Sequence, residues 1–302
     1  MNIKERYKRV MCCILAAAII AGIVPQGVSE AQEDKRPSVQ ASAYVVTDAK
    51  SGETLFRKKA DKKIYPASTV KLMTALVTLD KLKLNKKITM TNKIKKLLPW
   101  DAAALSLKCG ARYTVEQYLN MMLIASDAGS AAALAVGISG SFKKFSAIMN
   151  KKAKKLGMEN TSFDNPIGLD IGYGYKHTYT TASDFSKLAV AAMNNKVIKG
   201  IVKKAKYKVP KVKGSKSFTI QNTNKFYGTY KLKDSDYKII GTKTGSTNAA
   251  GRVLIAAAKD SEGHEVIVSY FGAKTADNLY TGIKKLFDYT FSQYKKGKIS
   301  LS

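Results

Sequence analysis

Pro66-Ala67-Ser68-Thr69-Val70-Lys71-Leu72-Met73-Thr74-Ala75-Leu76 is the stretch on which the reading of this chain turns. It opens with a helix breaker and sets a hydroxyl where a helix would start. One turn later it brings a lysine onto the same face, since residues i and i+3 are neighbours on a helix. A serine with an amine as its base is a way to make a nucleophile without histidine. The following helix is apolar at Val70, Met73, Leu76, Val77 and Leu79, which predicts burial and a rigidly held first turn. Taken alone, Ser-x-x-Lys equally describes an N-cap serine followed by a solvated lysine, so the rest of the chain has to decide.

The 302 residues are 45% hydrophobic, enough to bury a core in one large domain or a domain of two lobes. Fifty-two basic residues against 22 acidic leave a formal charge of +30. Only six of the basic residues are arginines, at 6, 9, 36, 57, 112 and 252. Lysine lacks the planar fork that reads bases or grips phosphate bidentately. The charge therefore fits solubility or loose attraction to an anionic surface such as a cell-wall polymer. No nucleic acid partner is expected, because no zinc finger, arginine-rich arm or RNP-type aromatic motif is visible.

Lys4, Arg6, Lys8 and Arg9 precede an apolar run from Val10 to Val24, then Pro25 and small residues ending Ser29-Glu30-Ala31. This reads as a secretory signal peptide over 1–31 and predicts export, to the cell exterior or wall. The alternative is an uncleaved anchor, which would hold the protein at the outer face of the cytoplasmic membrane. About 15 apolar residues are short for a span, for which roughly 20 are usual. Cleavage removes four basic and two acidic residues, leaves about +28, and makes Cys109 the only cysteine. The mature fold then has no internal disulfide and depends on its core alone. A polar linker over 32–41 leads into the domain, expected over 42–298.

Ala43 to Asp48 reads as a strand, Lys50-Ser51-Gly52-Glu53 as a turn and Thr54-Leu55-Phe56 as the hairpin partner. Trp100, after Leu97-Leu98-Pro99, is expected to pack inside rather than to line a cleft. Thr114-Val115-Glu116-Gln117 is a capping box that opens a helix. That helix runs out at Ala125-Ser126-Asp127, and an alanine-rich helix continues from Ser130 to Val136. Ser126 thus sits at an interhelical turn, where a hydroxyl can project into a cleft. Phe142 to Leu156 is another helix, the stretch from Asn165 to Tyr175 a glycine-punctuated loop, and Thr181-Ala182-Ser183-Asp184 starts a helix through Met193. Lys196 to Lys216 carries nine lysines and no acid and reads as an exposed ribbon. Tyr237 to Gly245, Arg252 to Ala258 and Glu265 to Phe271 read as strands, and Asp277 to Tyr294 as a closing amphipathic helix. Strands at both ends with helices between imply an α/β fold: one antiparallel sheet assembled from both termini and covered by helices, plus a mostly helical lobe.

Ser68-Thr69-Val70-Lys71, Ser126-Asp127-Ala128 and Lys243-Thr244-Gly245 come in the order and approximate spacing of the three motifs of penicillin-binding proteins and serine β-lactamases. Tyr65-Pro66-Ala67-Ser68 leading into Lys71 to Leu76, Leu156-Gly157-Met158-Glu159-Asn160-Thr161-Ser162-Phe163, and Gly241-Thr242-Lys243-Thr244-Gly245-Ser246-Thr247 sharpen the match. Over about residues 42 to 295 the chain resembles the low-molecular-mass D-alanyl-D-alanine carboxypeptidases.

The resemblance implies a β-lactamase/DD-peptidase-like fold, no cofactor, peptidoglycan stem peptides as substrates and β-lactams as covalent inhibitors. It implies that Ser68 is the nucleophile, Lys71 its base and Ser126 a proton relay. Lys243, Thr244 and Gly245 would bind substrate, with Lys243 and Thr244 on its terminal carboxylate. The N–H groups of Ser68 and Ser246 would form the oxyanion hole. Many relatives add a β-domain and a C-terminal amphipathic helix; this chain, ending at Ser302, is expected to lack both.

Two positions depart from the pattern. Ala128 stands where the second motif normally has asparagine, whose amide positions the substrate's peptide bond; Asp127 or Ser130 are candidates to replace it. Ile167 stands for a common histidine outside the catalytic set. Ala128 leaves open a weakly active or non-catalytic homologue that only binds peptidoglycan or β-lactams. A β-lactamase lacks support, because 165–180 has no glutamate of the Glu-x-x-Leu-Asn kind. His177 and His264, the only histidines, show no metal-ligand spacing and no triad context.

Overall fold

The computed structural model describes residues 36–232 and 235–299. Backbone proximity divides the chain into residues 1–36, of which Arg36 alone is described, and residues 37–302. The expected signal peptide and the first residues of the expected linker lie outside the described residues. Val39, inside that linker, is already buried in one apolar cluster with Tyr44 and Phe56.

The strands are β1 (Ala43–Asp48), β2 (Thr54–Lys58), β3 (Lys87–Thr89), β4 (Arg112–Thr114), β5 (Lys206–Val209), β6 (Phe218–Gln221), β7 (Tyr237–Thr247), β8 (Gly251–Asp260) and β9 (Glu265–Ala273). The helices are α1 (Lys71–Lys81), α2 (Asn92–Lys95), α3 (Val115–Ile124), α4 (Ala128–Ser139), α5 (Phe142–Lys155), α6 (Ala182–Asn194), α7 (Lys196–Val202) and α8 (Ala276–Lys295). The five-stranded sheet runs β2-β1-β9-β8-β7, every neighbour antiparallel, so the two chain ends build it together as expected.

Alternation along the strands divides the protein into two cores, because successive side chains point to opposite faces. Ala43 and Val45 of β1 and Val253, Ile255 and Ala257 of β8 join the helical lobe. Tyr44, Val46, Leu254, Ala256 and Ala258 face the other way, in one cluster with α8. That helix buries Leu279, Ile283, Leu286, Phe287, Phe291 and Tyr294, spaced three and four apart, while its lysines stay outside. Each such side chain contributes roughly 1.5–3 kcal/mol on burial. A charge at Ile283 or Phe287 would therefore detach the helix from the sheet.

In the helical lobe α4 is the central rod. Its residues Ala128 to Ala135 are all buried, which small side chains permit when neighbouring helices close in from several sides. The capping box at Thr114 and Gln117 forms in full, and Thr181 caps α6. Three expectations change. Helix α4 starts at Ala128, two residues early, because Asp127 caps it by accepting from Ser130 N. The lysine-rich stretch is not all ribbon: Asn195 caps α7, which buries Ile198, Ile201 and Val202 at helical spacing. The ribbon proper is β5 with β6, where Val209 is buried and Tyr207 half-buried. Finally, Trp100 is 97% exposed rather than packed.

Candidate active site

Ser68 lies in a tight 3-10 turn, Ala67–Val70, that runs directly into α1, so Lys71 is the first residue of the α-helix. Ala67 takes a positive φ of 48°, which turns the chain sharply just before the serine. The Lys71 Nζ stands 2.9 Å from Ser68 Oγ and donates over 2.6 Å to the carbonyl of Ile167. With one N–H committed to that carbonyl, a neutral amine has its lone pair available for the serine hydroxyl. The Ile167 position works through its backbone, which explains why the departure from histidine there disturbs no contact with the lysine.

The loop that supplies this carbonyl is knotted by Asn165. Its Oδ1 accepts from Ile167 N, Gly168 N and Leu169 N at 3.2, 2.8 and 2.9 Å, and its Nδ2 donates to Leu169 O at 2.8 Å. Thr74 Oγ1 of α1 ties the same loop through Pro166 O at 2.7 Å. Gly168 has φ +91°, and a Cβ there would fall 2.2 Å from Ala67 O and 2.8 Å from Ser68 N. No side chain fits between this loop and the serine turn.

Strand β7 presses on the turn from the other side. A Cβ at Gly245 would lie 3.1 Å from Pro66 O, Ala67 Cβ and Ser68 N, so the glycine lets strand and nucleophile meet. Ser126 occupies the turn between α3 and α4 with φ +60° and is 7% exposed. One cleft of about 250 Å3 gathers Ser68, Ser126, Thr244, Gly245 and Ser246 of the expected set. Lys71 and Lys243 are 2% and 0% exposed; the first is bonded to the cleft's Ser68 and the second to the carbonyl of its Thr244.

Burial governs the ionisation of these amines. It pushes Lys71 down from the ordinary 10.5 to about 7, against a smaller opposing pull from the Asp127 carboxylate. Lys243 is held well below the lysine range by burial and, secondarily, by the Lys71 charge. Its Nζ donates to Thr244 O at 2.9 Å, inside the strand end. Burial also raises the Asp127 carboxyl, opposed by the hydrogen bonds it accepts from Ser130 and Leu105.

Those bonds remove both substitutes considered for the missing asparagine. Asp127 Oδ1 accepts from Leu105 N at 2.6 Å and Oδ2 from the backbone and hydroxyl of Ser130, which is itself fully buried. The Ala128 N–H is taken by Ala103 O at 2.9 Å. Neither Asp127 nor Ser130 faces the cleft, because both are used to start α4.

The sequence did not single out Arg252, Thr223 or Lys225, which line the same cleft. Arg252 is directly opposite Ser246 across the β7–β8 ladder. Thr223 and Thr244 share a hydrogen bond of 2.7 Å. The scarcity of arginine was a usable signal for Arg252, but its place opposite Ser246 follows only from the strand register. Lys225 is indistinguishable from its many lysine neighbours in sequence.

Among the described residues one group has metal-ligating atoms close together: Asp260, Glu262 and His264, at the β8–β9 turn. Here a spacing unremarkable in sequence is brought together by the hairpin. His264 Nδ1 is 2.6 Å from Asp260 Oδ2 and its ring stacks on Tyr294 at 4.3 Å, so imidazole and carboxylate already satisfy one another.

Residues 30–275 match the family model described as D-alanyl-D-alanine carboxypeptidase. The D-alanyl-D-alanine carboxypeptidase DacF of Bacillus subtilis is 30% identical over 295 residues, 95% of this chain and 72% of the relative. A D-alanyl-D-alanine endopeptidase of Escherichia coli is 29% identical over 251 residues, 82% of this chain and 77% of its own length. The crystal structure of a D-alanyl-D-alanine carboxypeptidase from Mycobacterium tuberculosis superposes with a TM-score of 0.75 at 29% identity, covering 85% of this chain and 93% of that one.

Proposed function

We propose, since this chain belongs to the D-alanyl-D-alanine carboxypeptidase family, that it is exported and removes the terminal D-alanine of peptidoglycan stem peptides through an acyl-enzyme on Ser68. The observation that carries this reading is the 2.9 Å contact of Ser68 Oγ with a buried Lys71 amine whose pKa lies at about 7. At neutral pH about half of such amines are uncharged and able to act as a base.

Lys71 takes the Ser68 proton while Oγ bonds to the carbonyl carbon of the penultimate D-alanine. The N–H groups of Ser68 and Ser246 receive the oxyanion, the first at the start of a helix. Breaking the C–N bond requires a proton on the leaving amine; the Ser126 hydroxyl supplies it and is replenished from the Lys71 ammonium. Water then hydrolyses the ester with Lys71 again as base. The free carboxylate of the substrate is held by Thr244 and Arg252, which line the cleft, with the buried Lys243 next to Thr244 and bonded to its carbonyl. β-Lactams acylate the same serine.

Ala128 favours a second reading, a homologue that acylates slowly or holds its ligand without turnover. Neither Asp127 nor Ser130 replaces the missing amide, and one lost hydrogen bond costs on the order of 1–3 kcal/mol. The deciding experiment follows D-alanine release from a peptide ending in Lys-D-Ala-D-Ala, with Ser68→Ala as control. Release abolished in the control supports the carboxypeptidase; labelling of Ser68 by a fluorescent penicillin without release supports the second reading. The net charge, about +28 once residues 1–31 are removed, further supports retention on anionic wall polymers. Retention on purified walls that ignored salt concentration would refute that part.

A further inference from the structure

The described residues expose only three large apolar side chains: Trp100 at 97%, Ile171 at 51% and Tyr173 at 38%. They lie on two segments far apart in sequence that the fold brings together. Tyr173 Oη donates to Asp101 Oδ2 at 2.9 Å, which joins the Trp100 segment to the short 3-10 turn Ile171–Tyr173.

Both segments are rooted in the catalytic motifs. The first is fixed by Leu105 N on Asp127 Oδ1 and by Ala128 N on Ala103 O, and Ala103 lines the cleft. The second follows Asp170, which accepts from Gly172 N at 3.2 Å and from the hydroxyl of Thr247, at the end of β7. Both segments are therefore anchored on residues of the catalytic motifs, and Ala103, three residues from Trp100, is part of the cleft lining. Exposed apolar patches of this kind mark binding surfaces.

We propose that Trp100, Tyr173 and Ile171 form a platform for a pyranose ring of the glycan to which the stem peptide is attached. This rests on the carboxypeptidase reading above. If the terminal carboxylate is held at the β7–β8 wall by Thr244 and Arg252, the remainder of the stem leaves across the opposite rim, where Ala103 leads to Trp100. An indole face offers flat, polarisable area to the C–H face of a sugar, and the exposed Asp101 carboxylate beside it accepts sugar hydroxyls. The carboxylates of Asp101 and Asp170 beside Tyr173 make the patch a poor seat for an anionic membrane, the other usual home of an exposed tryptophan.

Trp100 is the only tryptophan in the chain, so its fluorescence reports this patch alone when tyrosine is not excited. The full protein is titrated with a linear oligomer of N-acetylglucosamine and, separately, with vesicles containing an anionic phospholipid. A saturable blue shift with the oligosaccharide, weakened in Asp101→Ala and absent with vesicles, is expected. No shift with the sugar, or a shift with vesicles alone, overturns the proposal. In a second arm, Trp100→Ala lowers kcat/KM for a disaccharide-linked pentapeptide about three- to tenfold and leaves the free pentapeptide unchanged. Equal loss on both substrates overturns it. Absence of D-alanine release from either substrate defeats the carboxypeptidase reading, and the fluorescence titration still decides the platform.

Discussion

Acylation of Ser68 should accelerate as pH rises from 6 to 8, because Lys71 works as a base only when neutral. With its pKa at about 7, the neutral fraction is about a tenth at pH 6 and about nine-tenths at pH 8, so the rate should rise about tenfold and then level. A lysine at the ordinary 10.5 would be neutral in fewer than about one molecule in a thousand at pH 7. Burial thus supplies the base with on the order of 5 kcal/mol of displaced ionisation. The cost appears in folding. Between pH 7 and 10.5 the unfolded chain binds the extra proton, so the burden on stability is full below pH 7 and fades as pH rises. The assay is the second-order rate of labelling by a fluorescent penicillin across this range, in wild type, Lys71→Arg and Lys71→Met. Arginine stays charged, so Lys71→Arg should lose about a thousandfold or more. Lys71→Met should also be inactive, yet gain more in Tm at pH 6 than at pH 9. A flat profile for wild type between pH 6 and 8, or labelling retained in Lys71→Arg, would refute this role for the amine.

Three further outcomes follow from the geometry. Arg252→Leu should raise KM for a peptide with a free C-terminal carboxylate about 10- to 100-fold, the worth of a charge-assisted hydrogen bond, and leave kcat nearly unchanged; inhibition by the C-terminally amidated peptide should not respond. Gly168→Ala places a methyl group 2.2 Å from Ala67 O at a φ of +91°, so urea unfolding should show a loss of about 2–4 kcal/mol together with slower acylation. Ala128→Asn should raise D-alanine release about 10- to 100-fold if the missing amide limits turnover; an unchanged rate would mean that another group, such as Thr223, already positions the peptide bond.

Much of this architecture could be read before any coordinates. The strands β1 and β8, the capping residues Thr114 and Thr181 and the three motifs are local patterns with local physical causes. What could not be read depends on partners distant in sequence. Helix α7 was hidden because three buried residues, Ile198, Ile201 and Val202, are dispersed among lysines that dominate the composition. Asp127 looked available for the cleft, but Ser130 takes one of its oxygens and Leu105, 22 residues away, takes the other. The Ile167 carbonyl carries no side-chain signature at all, yet it orients the Lys71 amine. Trp100 was expected inside because large aromatics are usually buried, yet it is 97% exposed, three residues before the cleft-lining Ala103.

The most direct trial of the carboxypeptidase reading is mass spectrometry of the intact protein, and of Ser68→Ala, after mixing with a peptide ending in Lys-D-Ala-D-Ala, with D-alanine followed in parallel. An adduct equal to the peptide minus one alanine on wild type, absent from the variant, with stoichiometric or greater release of D-alanine, is the expected result. Release of D-alanine that persists in Ser68→Ala would contradict the assignment of the nucleophile.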